Sequence, residues 1–432
     1  MALSQPEIIF YGPLINPKSV SSFQALPKCL LAVGASGNID WIEEHVHESA
    51  LQDVLAHRGS LNVSFIRLKH GEFILPGFVD THTHAPQAPN TGSGQQYELL
   101  DWLKEKTFPM EARFVDVDFA RRAYDLIVKR IIDSGTTTCC YYGTLHLEAT
   151  KILADVISKW GQRAFVGKCN MNRNSQDDYV EATVSGSINA THALISHIRA
   201  LPPPRLVEPV LTPRFAISCS GPLLSALGDM ARADPSLRIQ THISENRNEI
   251  HTTLKFFPEA TSYADVYDRH GLLGPRTILA HAVHLEEDEI ALVKERNAGV
   301  SHCPTSNFNL RSGICPVGKF IDRGIKVGLG TDVSGATSTY ADKQLPLSAL
   351  LHLATVGGAQ VCGFDALLVS VRSDTGNPGL WSADLDQELQ VGVAGGKVLE
   401  AWLERFFFTG DDRNIRRVYV QGRWIGGAEG EL

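Results

Sequence analysis

The chain lacks the concentrated positive charge that a nucleic-acid-binding surface requires. Its 432 residues include 40 Lys and Arg against 48 Asp and Glu, so the formal net charge is −8 and the pI is near 6.1. No dense run of Lys and Arg occurs in the sequence. Because binding to phosphate backbones depends on clustered basic residues, this composition disfavours nucleic acid as a partner.

Segments that would direct the chain to a membrane or a secretory route are also missing. The first residues, MALSQPEIIFYGPLI, have no basic region ahead of an apolar stretch, and no apolar run is long enough to cross a bilayer. The eight cysteines show no CxxC spacing, and the neighbours Cys139 and Cys140 are poorly placed to bridge each other. We expect a reduced, cytoplasmic protein with no membrane partner.

The chain begins with a β-rich part, which is followed by a regular alternation of apolar runs and helical stretches. Ile8–Tyr11, Leu30–Val33 and Val63–Leu68 are separated by clusters of Gly, Pro and Asn, which is typical of strands joined by turns. From Leu75 onward, short apolar runs alternate with stretches of helical periodicity. Eight of these runs are predicted to be strands: Phe78–Thr81, Thr136–Tyr142, Ala164–Cys169, Leu206–Leu211, Ile239–Ile243, Ile278–Ala282, Gly299–Cys303 and Val327–Gly330.

This alternation predicts the fold. Strands that alternate with helices favour a parallel α/β sheet, and eight of them favour a closed (β/α)₈ barrel of the TIM type. Asp365–Val371 and Val418–Ile425 return to strand character, so both chain ends are predicted to form one small β-domain beside the barrel. The predicted boundaries are 1–74 and 363–432 for the two parts of the small β-domain, and 75–362 for the barrel.

Histidine or aspartate stands at the end of four predicted barrel strands, where barrel enzymes carry their chemistry. His82 and His84 are two residues apart and therefore point to the same side of the first strand. His242, His281 and Asp332 end three later strands. Taken singly, a His-x-His pair is usually chance, a lone histidine is usually a core residue, and Asp332 could cap a helix. Their conjunction at matched strand ends predicts a catalytic metal site, and the ligand types suit zinc.

Several of these residues lie in longer motifs. Pro76–His84 (PGFVDTHTH) resembles the opening motif of the amidohydrolase superfamily, and His242–Glu245 (HISE), His281 and Gly330–Asp332 (GTD) resemble its later motifs in the same order. Other stretches resemble the guanine deaminase family within that superfamily: Leu100–Phe114, Gly161–Lys168, Thr212–Ser220, Ser301–Gly313 and Gly410–Val420. The resemblance extends over nearly the whole chain. It implies hydrolysis of the small purine base guanine to xanthine and ammonia, and a homodimer.

The resemblance also implies the roles of the strand-end residues. One zinc per chain is implied, with His82, His84, His242 and Asp332 as its ligands. Asp332 would take the proton of the attacking water, and His281 would orient the hydroxide and stabilise the tetrahedral intermediate. Glu245 would pass a proton to a ring nitrogen and then to the departing amine. The alternative for Glu245 is a carboxylate that only complements the positive end of a helix.

A lysine at the end of the fourth strand distinguishes many members of this superfamily that bind two metals from members that bind one. Relatives with two metals often use a carboxylated lysine at the end of the fourth strand. Here that strand ends in Thr212–Phe215 (TPRF), which contains no lysine, and Lys168 on the third strand is interpreted as structural. We therefore expect one zinc.

Three residues are assigned by the resemblance to the pocket for the base. Arg214 can donate two parallel hydrogen bonds to the O6/N7 edge of guanine, as arginine does in DNA. Phe215 can stack on the purine face, and Gln87 can both donate and accept along another edge. A structural ion pair for Arg214 and an ordinary core position for Phe215 stay open as alternatives.

The chain departs from the family pattern after its last barrel strand. Beyond Gly330–Gly335 we expect a barrel helix, a connection and a second helix, but Ala336–Leu345 is brief and leads straight to Pro346–Gln360, which matches the second helix. Loss of the barrel helix would expose apolar surface on the strand that carries Asp332. Either Leu347–Val356 moves into the vacant position, or the chain is a truncated form that is less stable or inactive.

Two further hypotheses of function stay open. One is an amidohydrolase that acts on a different amino-heterocycle or on a chlorinated triazine. The other is a non-catalytic protein on the same fold, against which the presence of every implied ligand and of Glu245 argues. The small zinc cytidine deaminase fold is excluded, because no His-x-Glu followed by Pro-Cys-x-x-Cys occurs in the sequence.

Overall fold

Two β-sheets organise the chain, and one of them closes into a barrel. The first is a mixed sheet built by segments from both ends of the chain, and the second is a parallel sheet built by the middle. The computed structural model describes residues 8–60, 63–69, 71–94, 96–332, 345–364, 370–374 and 395–429.

The predicted (β/α)₈ barrel is confirmed. Its eight strands follow one another in chain order, and every paired neighbour is parallel. The first and last strands meet where the hydroxyl of Thr81 donates to the Leu329 carbonyl at 2.9 Å and the Asp332 N–H donates to the His82 carbonyl at 2.9 Å. The strands are Phe78–His84, Thr136–Tyr142, Arg163–Gly167, Val207–Pro213, Arg238–Ile243, Thr277–His281, Gly299–His302 and Lys326–Leu329, with Cys169–Asn170 as a short extra strand beside the fourth.

The small β-domain made from both chain ends is also confirmed. Ser370–Asp374 pairs antiparallel with Glu72–Pro76 on one side and with Ile415–Val420 on the other, and so joins the two ends of the chain. Of the predicted strand Asp365–Val371, residues 365–369 lie outside the described part. The boundaries at 74/75 and 362/363 stay predictions. The remaining strands are Ile8–Ser19, Ser22–Val33, Ile39–Glu44, Ser64–Arg67 and Arg423–Gly426.

Helices alternate with the barrel strands and bury their apolar stripes against them. Val117–Asp133 is typical: Asp116 caps its first turn, and Ala120, Tyr124 and Val128 fall at helical spacing on the buried face. The other α-helices are Leu51–His57, Leu99–Trp102, Phe108–Ala112, Leu147–Trp160, Val184–Arg199, Gly221–Ala233, Arg247–Phe256, Tyr263–Arg269, Glu287–Glu295, Pro304–Asn309, Val317–Asp322, Leu347–His352, Gly358–Cys362 and Gly395–Thr409, and Leu103–Thr107 and Leu353–Gly357 are π-helical turns.

Two further properties of the described residues concern their helices and their cysteines. No helix among them combines the length and the apolar character that a membrane span needs. All eight cysteines are buried free thiols.

The helical segment from Leu347 to Cys362 covers the seam between the last and the first barrel strands. Glycines permit its close approach: a Cβ on Gly358 would lie 2.7 Å from the Cβ of Val79, and one on Gly328 would lie 2.8 Å from the Cα of Gly358. The possibility that this segment lies against the exposed strand therefore agrees with its contacts. Whether a barrel helix precedes it depends on residues 333–344, which lie outside the described part.

A cavity of about 500 Å³ lies beside the same strand. Its wall is largely apolar and includes Phe78, Leu329, Ala354, Phe406 and Phe407. Whether this cavity is connected with the shortened region after the last strand stays a prediction, because residues 333–344 lie outside the described part.

Candidate metal centre and active site

The strand ends bring the predicted ligands to one point. The Nε2 atoms of His84 and His242 are 3.1 Å apart, and Asp332 Oδ1 lies 3.6 Å from His82 Nε2 and 3.9 Å from His84 Nε2. Two overlapping groups have ligand atoms within 4.8 Å of one another, namely His82, His84 and Asp332, and His82, His242 and His281. All five residues are buried. The arrangement is one that could hold a metal ion.

The hydrogen bonds of the histidines leave nitrogen lone pairs facing this point. His242 Nδ1 lies 2.6 Å from the Arg214 carbonyl, which can only accept, so Nδ1 carries the proton and Nε2 is left as an acceptor. Neither ring nitrogen of His82, nor His84 Nδ1, has a hydrogen-bond partner among the described residues. Burial lowers the pKa of all three imidazoles, which keeps them neutral. Neutral imidazoles whose Nε2 atoms converge on one point fit a bound cation.

Asp332 supplies the negative charge of the cluster. Burial acts to raise the pKa of its carboxyl, but interactions with the surrounding imidazoles of His82, His281 and His84 hold that pKa well below its usual range. Its backbone has a φ of 44°, a left-handed conformation that a non-glycine residue adopts at a cost of about 1–3 kcal/mol. Asp80 steadies the preceding turn by accepting from the Thr331 N–H at 3.0 Å and from the Thr331 hydroxyl at 2.5 Å.

Glu245 and His281 stand next to the ligand cluster. Glu245 is buried, and its Oε2 lies 3.4 Å from His281 Nε2. Burial, and then the negative charges of Asp332 and Glu249, raise the pKa of Glu245 well above its usual range. His281 Nε2 also lies 3.8 Å from Asp332 Oδ2. A buried carboxyl with a raised pKa beside a cluster of metal-ligand types is suited to proton transfer.

Two residues that the sequence did not single out support this pair. Asn307 Oδ1 lies 2.9 Å from His281 Nδ1, so the amide oxygen fixes the imidazole with Nδ1 as donor. The hydroxyl of Ser312 donates to Glu245 Oε1 at 3.3 Å. Both lie in Ser301–Gly313, a stretch that resembled the guanine deaminase family without indicating their contacts.

Two of the three predicted pocket residues, Gln87 and Arg214, meet at a further residue, Glu111. Its carboxylate accepts from both terminal nitrogens of Arg214, at 2.5 and 3.0 Å, from Gln87 Nε2 at 3.0 Å and from the Tyr179 hydroxyl at 2.6 Å. Arg214 therefore does make an ion pair, and only its remaining N–H groups are left for another partner. Gln87 Oε1 is buried with no hydrogen-bond partner among the described residues, so it can accept a hydrogen bond from a ligand.

A small cavity separates these pocket residues from the metal cluster. It is lined by His84, Gln87, Arg214, Phe215, His242, Glu245, His281 and Asp332, with Leu99, Trp102, Leu103 and Leu310 as its apolar wall. Its volume of about 20 Å³ holds roughly one water molecule. A larger ligand can enter only if the apolar wall moves.

Lys168 takes no part in the cluster. Its ammonium is fully buried and donates to Glu181 at 2.5 Å and to the Cys169 carbonyl at 2.9 Å. An ion pair of this kind agrees with the interpretation of Lys168 as structural.

Comparisons with known proteins match the whole of this architecture. Residues 73–425 fit the profile of the amidohydrolase family. A probable guanine deaminase of Schizosaccharomyces pombe is 40% identical over 98% of this chain and 84% of that protein, and the guanine deaminase of Mus musculus is 37% identical over 97% and 96%. The crystal structure of guanine deaminase from C. acetobutylicum, with guanine bound in its active site, superimposes with a TM-score of 0.84 at 33% identity, over 97% of this chain and 99% of that one.

The parallel barrel with its cluster of histidines and aspartate, together with these matches, defines the class: the chain belongs to the amidohydrolase family, whose members depend on a metal. The near full-length similarity narrows the class further, and within that family the chain is a member of the guanine deaminases.

Proposed function

We propose that this protein is a hydrolase of the carbon–nitrogen bonds of cyclic amidines that converts guanine and water to xanthine and ammonia. The observation that carries the proposal is that one small cavity is lined both by the predicted base-pocket residues Gln87, Arg214 and Phe215 and by His84, His242 and Asp332 of the predicted metal site. Relatives of known activity, similar over nearly their whole length, support the choice of guanine.

Zinc, one per chain, is the metal we propose, with His82, His84, His242 and Asp332 as ligands. Tetrahedral zinc with bonds of about 2.1 Å to nitrogen has ligand atoms roughly 3.4 Å apart, close to the separations of 3.1–3.9 Å among these side chains. When bound, zinc would lower the pKa of a bound water to roughly 7.

The proton transfers are assigned to carboxylates. Asp332, ionised at neutral pH, accepts the proton of the attacking water. Glu245 delivers one proton to a ring nitrogen of guanine and a second to the departing amine, and the two protons of the attacking water replace them by way of Asp332, so that ammonia leaves and a carbonyl remains. His281, fixed by Asn307, faces the attacking oxygen and stabilises the tetrahedral intermediate by hydrogen bonding.

Recognition of the base is assigned to the cluster around Glu111. Gln87 Oε1 is the natural acceptor for an N–H group of guanine. The N–H groups of Arg214 that do not bind Glu111 donate to the O6/N7 edge, and Phe215, whose ring centroid lies 5.6 Å from that of His242, stacks against the purine.

We also propose a cytoplasmic homodimer that acts in purine catabolism. Eight buried free thiols favour a reducing compartment. The dimer rests on the resemblance alone.

The test is steady-state turnover by the purified, zinc-loaded chain, followed by ultraviolet absorbance with guanine and, in parallel, with adenine and a chlorinated triazine. We expect guanine to disappear as xanthine forms, and a kcat/KM for guanine at least about 100-fold above that for either competitor, because each lacks a partner for the buried polar groups. Turnover of a competitor in preference to guanine would redirect the proposal to that heterocycle.

A further inference from the structure

Glu249 has a buried carboxylate that neither the metal cluster nor the base pocket uses. It lies in the first turn of the helix Arg247–Phe256, with no part of its side chain exposed to solvent. Its Oε2 accepts hydrogen bonds from the backbone N–H of Glu245 at 2.9 Å and from that of Asn246 at 3.2 Å. Its Oε1 accepts from the hydroxyl of Tyr263 at 2.6 Å. Both oxygens therefore act as acceptors, as in an ionised carboxylate.

We infer that Glu249 is a positioning residue for guanine deamination, which holds the backbone at Glu245 so that the Glu245 carboxyl faces the cavity. This inference rests on the proposed function, since it takes Glu245 to be the group that moves the proton.

The turn that Glu249 holds needs such support. Ser244, between the barrel strand and Glu245, has a φ of 47°, a conformation that costs a non-glycine residue about 1–3 kcal/mol and persists only when its surroundings enforce it. Glu245 directly follows this strained residue, and its backbone N–H donates a hydrogen bond to the carboxylate of Glu249. The bond fixes the direction in which the Glu245 side chain leaves the backbone.

Tyr263 anchors the carboxylate from a separate helix, Tyr263–Arg269. The chain Tyr263, Glu249, Glu245 thus connects the outer helices to the cavity by hydrogen bonds that are all buried. Buried networks of this kind favour one geometry over its alternatives, because a displaced member leaves an unpaired polar group. Loss of the charge on Glu249 would loosen Glu245 and leave the metal ligands untouched.

The chain contains a matched control in Glu289. It occupies the same position in the helix Glu287–Glu295 and accepts from the N–H of Glu286, three residues before it, at 3.0 Å. Its other oxygen accepts from the Ala264 N–H at 3.0 Å, and the residue is buried. Glu289→Gln therefore removes the same charge from the same kind of cap, away from the cavity.

The experiment compares Glu249→Gln, Glu289→Gln and wild type as zinc-loaded proteins, by zinc content, kcat and KM for guanine. We expect Glu249→Gln to lower kcat roughly 10- to 100-fold, the effect of a misplaced catalytic group, while KM changes by less than about threefold and zinc content stays at the wild-type level. Glu289→Gln is expected to keep kcat within about twofold of wild type.

Equal kcat values for the two variants and wild type would overturn the inference. If Glu249→Gln does not fold, Tyr263→Phe decides: it removes the bond to Oε1, together with the acceptor for the Ala216 N–H at 3.3 Å, and keeps both backbone contacts of Glu249. A lower kcat at unchanged KM would support the inference, and a wild-type kcat would overturn it. Absence of guanine turnover in wild type would overturn the proposed function and this inference with it.

Discussion

Glu111 and Arg214 form a bidentate ion pair from which solvent is excluded, with N···O distances of 2.5 and 3.0 Å and side chains no more than 1% exposed. The two residues are 103 positions apart in the chain, and Arg214 lines the cavity of the candidate base pocket. The same carboxylate binds Gln87 and Tyr179, so one buried charge holds both predicted polar residues of the base pocket, Gln87 and Arg214.

Replacement of Glu111 by Gln is expected to weaken both folding and guanine recognition. The substitution leaves the Arg214 charge buried without its counter-ion, which costs about 3–5 kcal/mol in the free energy of unfolding. The kcat/KM for guanine should fall by about tenfold or more as Arg214 and Gln87 lose their positions. Glu181→Gln, which breaks the buried pair with Lys168, is the control: it should cost similar stability but change kcat/KM by less than about threefold. Equal kinetic losses would contradict this assignment.

The zinc content of alanine variants should distinguish the proposed ligands from another histidine at a strand end. We expect His82→Ala and His242→Ala to bind less than about a tenth of the wild-type zinc at equal free metal, since each removes one of four ligands. His302 is equally buried at the end of the seventh strand, and belongs to neither ligand group. His302→Ala should keep its zinc when measured by atomic absorption. Loss of zinc from His302→Ala alone would contradict the ligand set.

The stability of the metal-free protein should depend on pH in a defined direction. Burial lowers the pKa of His82, His84 and His242 in the folded state, so the unfolded chain takes up protons first as the pH falls. Their contribution to stability is complete above about pH 6.5 and is lost below it, at up to about 1.4 kcal/mol per pH unit for each group.

Urea unfolding of the chelated protein at several values from pH 8 to 5.5 measures this slope. His84→Gln should flatten it, because one titrating group is gone. A slope for His84→Gln as steep as that of wild type would contradict the account.

The close packing of glycines at the barrel seam leads to a prediction that concerns stability alone. In Gly358→Ala the new methyl group would meet Val79 at 2.7 Å, and such overpacking typically costs about 1–3 kcal/mol. Gly318 lies in the helix Val317–Asp322, where a methyl group would have no neighbouring atom within 4 Å, so Gly318→Ala should be neutral or stabilising by up to about 1 kcal/mol. Differential scanning calorimetry compares the two, and similar melting temperatures would argue against close packing at the seam.

The sequence predicted the barrel well because its strands are buried on both faces and therefore appear as apolar runs between helical stretches. The ligand positions followed from the same pattern, since His82, His84, His242 and Asp332 all stand at strand ends. Spacing along the strand indicated that His82 and His84 point to the same side, whereas the choice of ligands and the role of Glu245 came from the resemblance to the family.

What the sequence did not reveal depends on contacts between distant segments. Glu111 lies in a helix after the first strand, and nothing in its neighbourhood indicates that it meets Arg214. Asn307 and Ser312 reach His281 and Glu245 from the segment after the seventh strand. The second role of Glu249 was equally hidden, because a glutamate in the first turn of a helix is usually only a cap.

The central claim is that Glu245 moves the proton in the hydrolysis of guanine at a zinc site. The most direct test is the rate of xanthine formation by wild type and by Glu245→Gln, with zinc content measured in the same samples. The account predicts about one zinc per chain in both proteins and a kcat lowered roughly 10²- to 10⁴-fold in the variant, because an amide cannot carry the proton. A variant that keeps its zinc and forms xanthine at the wild-type rate would contradict the account.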